Sequence, residues 1–463
     1  MREFDVIIIG AGPGGYVAAI RAAQLGAKTA LIERNKIGGT CLNWGCIPTK
    51  ALYYSAKALE AAKHAAEFGV NVGEVSFDLS KAVERKDGVV KKLVGGIEQL
   101  LKGNKVEVIR GDGFVEAAGK VRVTKADGVE EITCKSIIIA TGSEPALIPA
   151  FNIDRKNVLT STEMLDIKKV PESLLIIGGG VMGCEFASMF SSFGSKVMIV
   201  ELLPTILSTE DKMVSRVIAK RYKETGVQVL TEVQVESVTA EEGRVKTTLK
   251  DGREFITEKV MVAIGRSFNS VGLGLDKLGV TVEKGRIAVD DHMETSVKGI
   301  YAIGDVTGKM LLAHVASVQG IVAANNALGK EAKMDYSVIP AGIFTDPEIA
   351  SVGLREKEAE EKGINVAVGR FPYAASGKAM GMGETEGFVQ IVSDPATDKV
   401  LGCSIVGAHA TDLIGEVALA MKTGATIKDI AETIHAHPTL PEIVMEAAED
   451  VHGMAIHKIG RKK

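Results

Sequence analysis

At 463 residues the chain has room for about three domains of roughly 100–200 residues each. Its 46% apolar and 25% charged content is that of an ordinary globular protein with ample core. A formal net charge of -4 excludes the basic field of a nucleic-acid binder, and the short basic end Gly460-Arg461-Lys462-Lys463 reads as a solvated tail. Five cysteines, an odd number, exclude a secreted disulfide scaffold, and no clean apolar run of 18 or more residues offers a membrane span.

The first segment, "FDVIIIGAGPGGYVAAIRAAQLG", is an apolar β-branched run broken at Gly10, Gly12 and Gly15, followed by helical periodicity in Val17, Ile20 and Leu25. A GxGxxG that follows a strand and opens a helix is a dinucleotide fingerprint. The three glycines serve a tight turn, a close backbone approach to a pyrophosphate, and close helix–strand packing. The helix N-terminus favours the anion. A second strand, "KTALIER", ends at Glu33, a carboxylate that can bind ribose hydroxyls. The early arginine and apolar run faintly imitate a signal peptide, but the glycine spacing suits a strand–turn–helix better. With no Arg/Ser-rich presequence either, the expected location is cytoplasmic, although a mature organellar protein would look the same.

Next comes "GGTCLNWGCIPTK", with Cys41 and Cys46 five positions apart. Five residues of undistorted helix span roughly 7.5 Å, beyond the ~7 Å Cα separation of bridged cysteines. Gly45 can loosen the backbone, and Pro48 is expected to push Ile47 away from helical angles. A small strained ring would be a labile disulfide, and in a reducing compartment such a pair is usually catalytic. The alternatives are metal ligands or two idle thiols. No second cysteine or histidine pair stands nearby at ligand spacing.

A helical stretch around 51–100 and a strand pair around 105–135 interrupt the first unit, and the buried strand "KSIIIATGSEP" returns under the first nucleotide. "SLLIIGGGVMGCEFASMFSSFG" then repeats the fingerprint with Gly178, Gly180 and Gly183, and "KVMIVE" ends at Glu201. Gly15 to Glu33 and Gly183 to Glu201 are both eighteen positions. An acidic Glu201 with no early arginine after it repels a 2′-phosphate and favours NAD over NADP. "VMVAIGR" reads as a parallel strand ending at Gly265, and "GIYAIGDV" as a strand whose end carries Asp305, facing the ligand crevice or capping a helix. From about 340, "GFVQIVSD", "VLGCSIVGA" and intervening helices read as a separate α+β domain.

These motifs, with "ATGS", "AIGR", "YAIGDV", "MLLAHVA" and "HAHPTLPE" in order along the whole chain, resemble the flavin-linked pyridine nucleotide–disulfide oxidoreductases. The resemblance implies an α/β fold with two Rossmann-like dinucleotide-binding domains, for FAD (1–148) and NAD (149–273). A central domain (274–339) completes the FAD site, and an α+β dimerisation domain (340–463) ends the chain. Around FAD it implies Gly10, Gly12, Gly15, Glu33, Lys50, Gly113, Thr141, Gly142, Asp305, Ala313 and His314, and around NAD Gly178, Gly180, Gly183, Glu185, Glu201, Val235 and Gly265. Glu185 is also placed to pair with Lys50.

The resemblance further implies that Cys41 exchanges with a substrate dithiol and that Cys46, nearest the flavin, passes electrons on. His437 would be the base and Glu442 its orienting carboxylate, with His435 an ordinary loop residue. His437 would reach the disulfide of the other subunit of a homodimer. The branch it most resembles oxidises a protein-bound dihydrolipoyl dithiol with reduction of NAD. Its partner would be the lipoyl domain of a 2-oxoacid dehydrogenase acyltransferase or of the glycine cleavage carrier, and neither nucleic acid nor membrane is expected. Trp44, between the cysteines, either shapes the approach to Cys41 or packs.

Overall fold

The computed structural model describes residues 1–241 and 243–459. The basic end 460–463 lies outside the described residues. Contacts divide the chain into two units. Unit 1 comprises Met1–Pro149, Leu159–Lys169 and Ile264–Asp335, and unit 2 comprises Ala150–Val158, Val170–Ala263 and Tyr336–Lys463.

Unit 1 begins with β1 (Arg2–Ile9), α1 (Pro13–Gln24) and β2 (Thr29–Glu33). Val6–Ile9 are a continuous buried run because β1 is central in a parallel sheet, with β2 on one side and β6 (Gly128–Ile139) on the other. Beyond β2 lies β3 (Glu107–Arg110), and the strand Ile300–Ala302 pairs parallel with the far side of β6. The first half of β6 does different work: it turns antiparallel to β5 (Lys120–Lys125), which pairs with β4 (Asp112–Ala117). One strand thus joins a nucleotide-binding sheet to an antiparallel meander. The helix Ala313–Ala327 crosses α1 closely, since a Cβ on Gly320 would come within 2.5 Å of the Gly14 carbonyl oxygen.

Between β2 and β3 the chain forms α2 (Gly39–Trp44), α3 (Cys46–Lys63) and α4 (Leu79–Gly103). The expected effect of Pro48 does not occur, because Ile47 and Pro48 both lie in the first turn of α3. N–H groups there have no intrahelical partner, so a proline costs nothing. The break falls on Gly45 alone, at φ -138 and ψ -114.

Unit 2 repeats the plan. Four parallel strands run in the order Gln228–Leu230, Lys196–Val200, Ser173–Ile177, Lys259–Val262. The "VMVAIGR" strand therefore stops at Val262, three residues before Gly265. The helix Val181–Phe193 follows the central strand. The rest of unit 2 is an antiparallel sheet built around Ile349–Gly353, Val400–Val406 and Phe388–Ser393 and covered by the helices Ala410–Thr423 and Pro441–Val451.

A buried polar cluster fastens these two parts of unit 2. Asp211, at the start of the helix Lys212–Glu224, accepts from Gln390 Nε2 (2.9 Å), Ser404 Oγ (3.2 Å) and the Lys357 N–H (3.0 Å). Beside it, buried Glu210 pairs with Arg355. Among the described residues no helix is long and apolar enough to cross a membrane.

Candidate functional site

The two glycine turns are near copies. Gly10 and Gly178 take φ +102 and +108, and Gly12 and Gly180 cap their helices at φ/ψ of -68/-177 and -75/-170. A Cβ on Gly15 would lie 1.8 Å from the Gly10 oxygen, and one on Gly183 would lie 1.9 Å from the Gly178 oxygen. Only a hydrogen side chain lets each helix pack on its strand. At Gly12 and Gly180, by contrast, a Cβ would meet nothing within 4 Å. Each helix N-terminus faces open space with no side-chain cap, so its N–H groups can take an anion.

The acidic residues match as closely. Glu33 accepts from the Ala11 N–H (2.7 Å) and the Asn35 N–H (2.6 Å). Glu201 accepts from the Gly179 N–H (2.5 Å) and the Leu203 N–H (2.8 Å). In both turns the carboxylate is held beside the glycine loop, where a ribose attached to the pyrophosphate would lie. Leu202 and Leu203, exposed after Glu201, bring no cation for a 2′-phosphate. These are observations the dinucleotides FAD and NAD fit.

Other sequence-predicted residues gather at the strand ends of unit 1. Asp305 lies in a short turn, Gly304–Thr307, just past its strand, and accepts from Ser143 Oγ at 2.5 Å. Its role as a helix cap is not taken up, since Ile303 caps that turn. Arg266 reaches the same corner, with Nε 2.6 Å from Ser143 Oγ and Nη2 2.7 Å from the Ser143 carbonyl. Burial pulls this guanidinium below its ordinary value, against the opposing charges of Asp305 and Cys46. Sequence reasoning missed both Ser143 and Arg266, although each lies within a motif it quoted.

Thr141 and Gly142 are locked to Asn269, through Thr141 Oγ1 to the Asn269 carbonyl (2.7 Å) and the Asn269 N–H to the Gly142 carbonyl (3.0 Å). Ala313 and His314 open the helix Ala313–Ala327, and Gly113 lies in β4 against Ile9. In unit 2, Ala263 donates to the Ile177 carbonyl (2.8 Å) as the parallel strand ends, and Gly265, two residues on, already belongs to unit 1. Val235 is buried in the apolar core of unit 2. Glu185 is buried in the helix Val181–Phe193 and accepts from the Phe344 N–H at 3.0 Å.

The cysteine pair sits against the first cradle. The Gly38 N–H donates to the Ala11 carbonyl (2.8 Å), and a Cβ on Gly39 would come within 2.7 Å of Gly12 Cα. Helix α2 therefore starts on the phosphate loop itself. The break at Gly45 folds Cys46 back toward Cys41, and a Cβ there would be 3.1 Å from the Thr40 oxygen. The two thiols are not joined by a disulfide and are hydrogen-bonded to each other. That bond, then burial, pushes the Cys41 thiol far up, while the Lys50 ammonium pulls the other way. Two adjacent thiolates would repel, so Cys41 keeps its proton. Trp44 is half-buried with the Lys36 ammonium 5.6 Å from its ring centre, so it packs under a surface cation.

In unit 2, His437 Nδ1 lies 2.8 Å from Glu442 Oε1, and Glu442 Oε2 accepts the Thr439 N–H at 2.8 Å. Burial pulls the Glu442 carboxyl up, but the Thr439 and His437 donors outweigh it and hold it below the carboxylate range. A carboxylate on Nδ1 sets the tautomer that leaves Nε2 as proton acceptor. The side chain of His437 is 80% exposed.

Residues 4–320 match the pyridine nucleotide-disulphide oxidoreductase family, and residues 339–448 match the dimerisation domain of the same family. The dihydrolipoyl dehydrogenase of Geobacillus stearothermophilus is 44% identical over 461 residues, covering 99% of this chain and 98% of that protein. The dihydrolipoyl dehydrogenase of Bacillus subtilis is 44% identical over 470 residues, covering 98% and 99%. Among solved structures, LpdA of Mycobacterium tuberculosis aligns with a TM-score of 0.91 at 29% identity over 97% of this chain and 99% of that one. The HOCl-induced flavoprotein disulfide reductase of Escherichia coli aligns with a TM-score of 0.87 at 30% identity over 96% and 99%. With two matching glycine-turn cradles, a cysteine pair on the first and a family match that runs through the dimerisation domain at 339–448, this chain belongs to the pyridine nucleotide-disulphide oxidoreductase family.

Proposed function

We propose that the chain is an enzyme that oxidises protein-bound dihydrolipoamide to lipoamide and reduces NAD to NADH, using FAD and the Cys41–Cys46 pair. The observation that carries this reading is the contact of the cysteine helix with the first nucleotide loop, Gly39 on Gly12, in a chain 44% identical to dihydrolipoyl dehydrogenases over its whole length. The uncountered carboxylate of Glu201 supports NAD rather than NADP.

The residues act as follows. His437 Nε2 takes a proton from the substrate dithiol, and Glu442 steadies the resulting imidazolium. The substrate thiolate attacks Cys41 Sγ of the oxidised pair, the Cys41–Cys46 bond breaks, and Cys46 leaves as thiolate. The second substrate sulfur attacks the mixed disulfide and closes the lipoyl ring. Cys41 leaves and takes up the second thiol's proton, so two electrons and one proton have passed to the cysteine pair and the other proton stays on His437. Bound FAD supplies the two-electron relay from that pair to NAD. Lys50, whose ammonium pulls the Cys41 thiol down, favours negative charge on the cysteine pair. Glu33 and Glu201 hold the two riboses, and Asp305 with Ser143 offers a further hydroxyl acceptor.

The chain works as a homodimer in which His437 serves the cysteines of the other subunit. Its family dimerisation domain supports the dimer. Unit 2 also exposes Met380, Leu419, Ile434, Met454 and Ile456, apolar surface that a second copy would cover. By role we divide the chain into FAD (1–148), NAD (149–273), central (274–339) and interface (340–463) parts, acting in the cytoplasm. The dithiol is carried by the lipoyl domain of a 2-oxoacid dehydrogenase acyltransferase or by the glycine cleavage carrier.

The test is anaerobic absorbance of the purified protein. Dihydrolipoamide should reduce the yellow flavin with a long-wavelength thiolate–flavin band, and added NAD should then yield NADH. A flavin that NADH reduces and dihydrolipoamide leaves oxidised would overturn the substrate assignment and point to another disulfide.

A further inference from the structure

Two residues before His437, His435 is built into the protein rather than left on the loop. Its side chain is 8% exposed, against 80% for His437. Nδ1 lies 2.8 Å from the Thr433 carbonyl and Nε2 lies 2.8 Å from Glu416 Oε1. Both ring nitrogens are therefore engaged by acceptor oxygens. Glu416 stands on the helix Ala410–Thr423, while Glu442 belongs to the helix Pro441–Val451. The segment that carries His437 is therefore tied at both ends, upstream through His435 to one helix and downstream through Glu442 to another. Thr433 Oγ1 to the Asp429 carbonyl (2.7 Å) and Thr439 Oγ1 to the Ala436 carbonyl (2.6 Å) tighten the same turn.

We propose that His435, anchored on Glu416, is a positioning residue for the reaction: it fixes the 433–440 segment so that His437 meets the substrate thiol in one orientation. This rests on the reading of His437 as the base. The physical need is plain. A base on an exposed loop samples many orientations, and a misplacement of about 1 Å can cost roughly a hundredfold in rate. Glu442 alone sets the ring's tautomer but lies downstream of it. His435 supplies the upstream restraint, with only Ala436 between it and the base. His435 also acts on Glu442 through space and favours that carboxylate.

The test uses the holoenzyme with His435→Ala, His435→Gln, Glu416→Gln and the double variant His435→Ala/Glu416→Gln. Two reactions are compared. Single-turnover flavin reduction by dihydrolipoamide needs the base. NADH oxidation by ferricyanide passes through FAD and needs neither the cysteines nor His437. His435→Ala should slow the first about tenfold and leave the second, and the FAD content, unchanged. Glu416→Gln should act in the same direction, and its near-isosteric side chain carries the test if His435→Ala does not fold. The double variant should be no slower than His435→Ala, since both remove one contact. His435→Gln, whose amide can still donate to Glu416, should recover part of the rate.

Full dihydrolipoamide-driven reduction in both His435→Ala and Glu416→Gln overturns the proposal. So does an equal loss in both reactions with loss of FAD, which marks a structural role. A wild-type flavin that dihydrolipoamide does not reduce overturns the parent reading together with this one. Wild-type reduction with undiminished variants overturns this one alone.

Discussion

Replacing Gly15 by alanine tests the first cradle most directly. The new Cβ would sit 1.8 Å from the Gly10 oxygen. Carbon–oxygen contacts lie at about 3.3 Å or more, so α1 and β1 must part by about 1.5 Å at their closest point. Both colliding atoms are fixed to the backbone, so no rotamer relieves them. Overpacking of this sort costs about 1–3 kcal/mol. The retreat also draws the N-terminal N–H groups of α1 away from the pyrophosphate. Hydrogen bonds to charged groups are worth about 1.5–3 kcal/mol each. Two of them amount to about 3–6 kcal/mol, or roughly two to four decades of FAD affinity.

Gly12→Ala is the control. Its Cβ meets nothing within 4 Å and its φ is -68, so the flavin-free protein should keep its Tm while the methyl fills the anion cradle. The assay is flavin retained after gel filtration together with the Tm of the flavin-free forms. Gly15→Ala should lose both flavin and Tm, and Gly12→Ala flavin alone. Gly183→Ala, with the equivalent clash of 1.9 Å, should stay yellow, be reduced by dihydrolipoamide and fail to make NADH. A Gly15→Ala protein with full FAD and an unshifted Tm would refute the close-packing argument. So would a Gly12→Ala protein destabilised as much as Gly15→Ala.

Further expectations concern the chemistry. Cys46→Ser should keep FAD and the ferricyanide reaction but abolish dihydrolipoamide turnover, and residual full turnover would sink the disulfide route. Glu201→Gln removes a charge that opposes a 2′-phosphate, so the NAD:NADP ratio of kcat/KM should fall about tenfold; an unchanged ratio would move discrimination elsewhere. Glu442→Gln should lower kcat with dihydrolipoamide by about 10²-fold or more, in the range of general acid–base effects, with ferricyanide reduction intact. Glu442's carboxyl is held below its ordinary 4.5. The stability it lends is complete above that value and is lost as pH falls through the lower folded value. The Tm gap between wild type and Glu442→Gln should therefore hold at neutral pH and close on acidification. A gap that widens in acid would show that the sign is wrong.

What was legible in the sequence is local. The glycine turns, Glu33 and Glu201 each close within about two dozen residues, so residue type and spacing fix their backbone geometry. The two copies accordingly agree to within about ten degrees at their caps. The five-residue step from His437 to Glu442 reads the same way, and so does the break at Gly45. Local reasoning fails where a local rule has an exception that depends on position. Pro48 reads as a residue that pushes Ile47 out of helical angles, and instead both sit in a first helical turn where the proline's missing N–H has no use. The strand before Gly265 stops at Val262 because its pairing partner, Ser173–Ile177, runs out at Ile177.

Long-range partners are another matter, since no pattern in the neighbourhood of a residue states who will arrive from elsewhere in the chain. Ser143 and Arg266 are 123 positions apart and meet at Asp305 through the pairing of two three-residue strands. Asp211 finds Gln390 and Ser404 only because a helix of the second nucleotide fold packs on the antiparallel sheet. His435 looks like an ordinary loop histidine until Glu416, on a different helix, closes over its ring. The sequence by itself determined that this protein has two dinucleotide-type glycine turns and a close cysteine pair, because those features are made of adjacent backbone. Only the tertiary structure decided what the cysteine helix leans on and which partners Asp211 and His435 find. Those contacts exist only once separate segments have docked, and burial then makes every polar group among them find a partner.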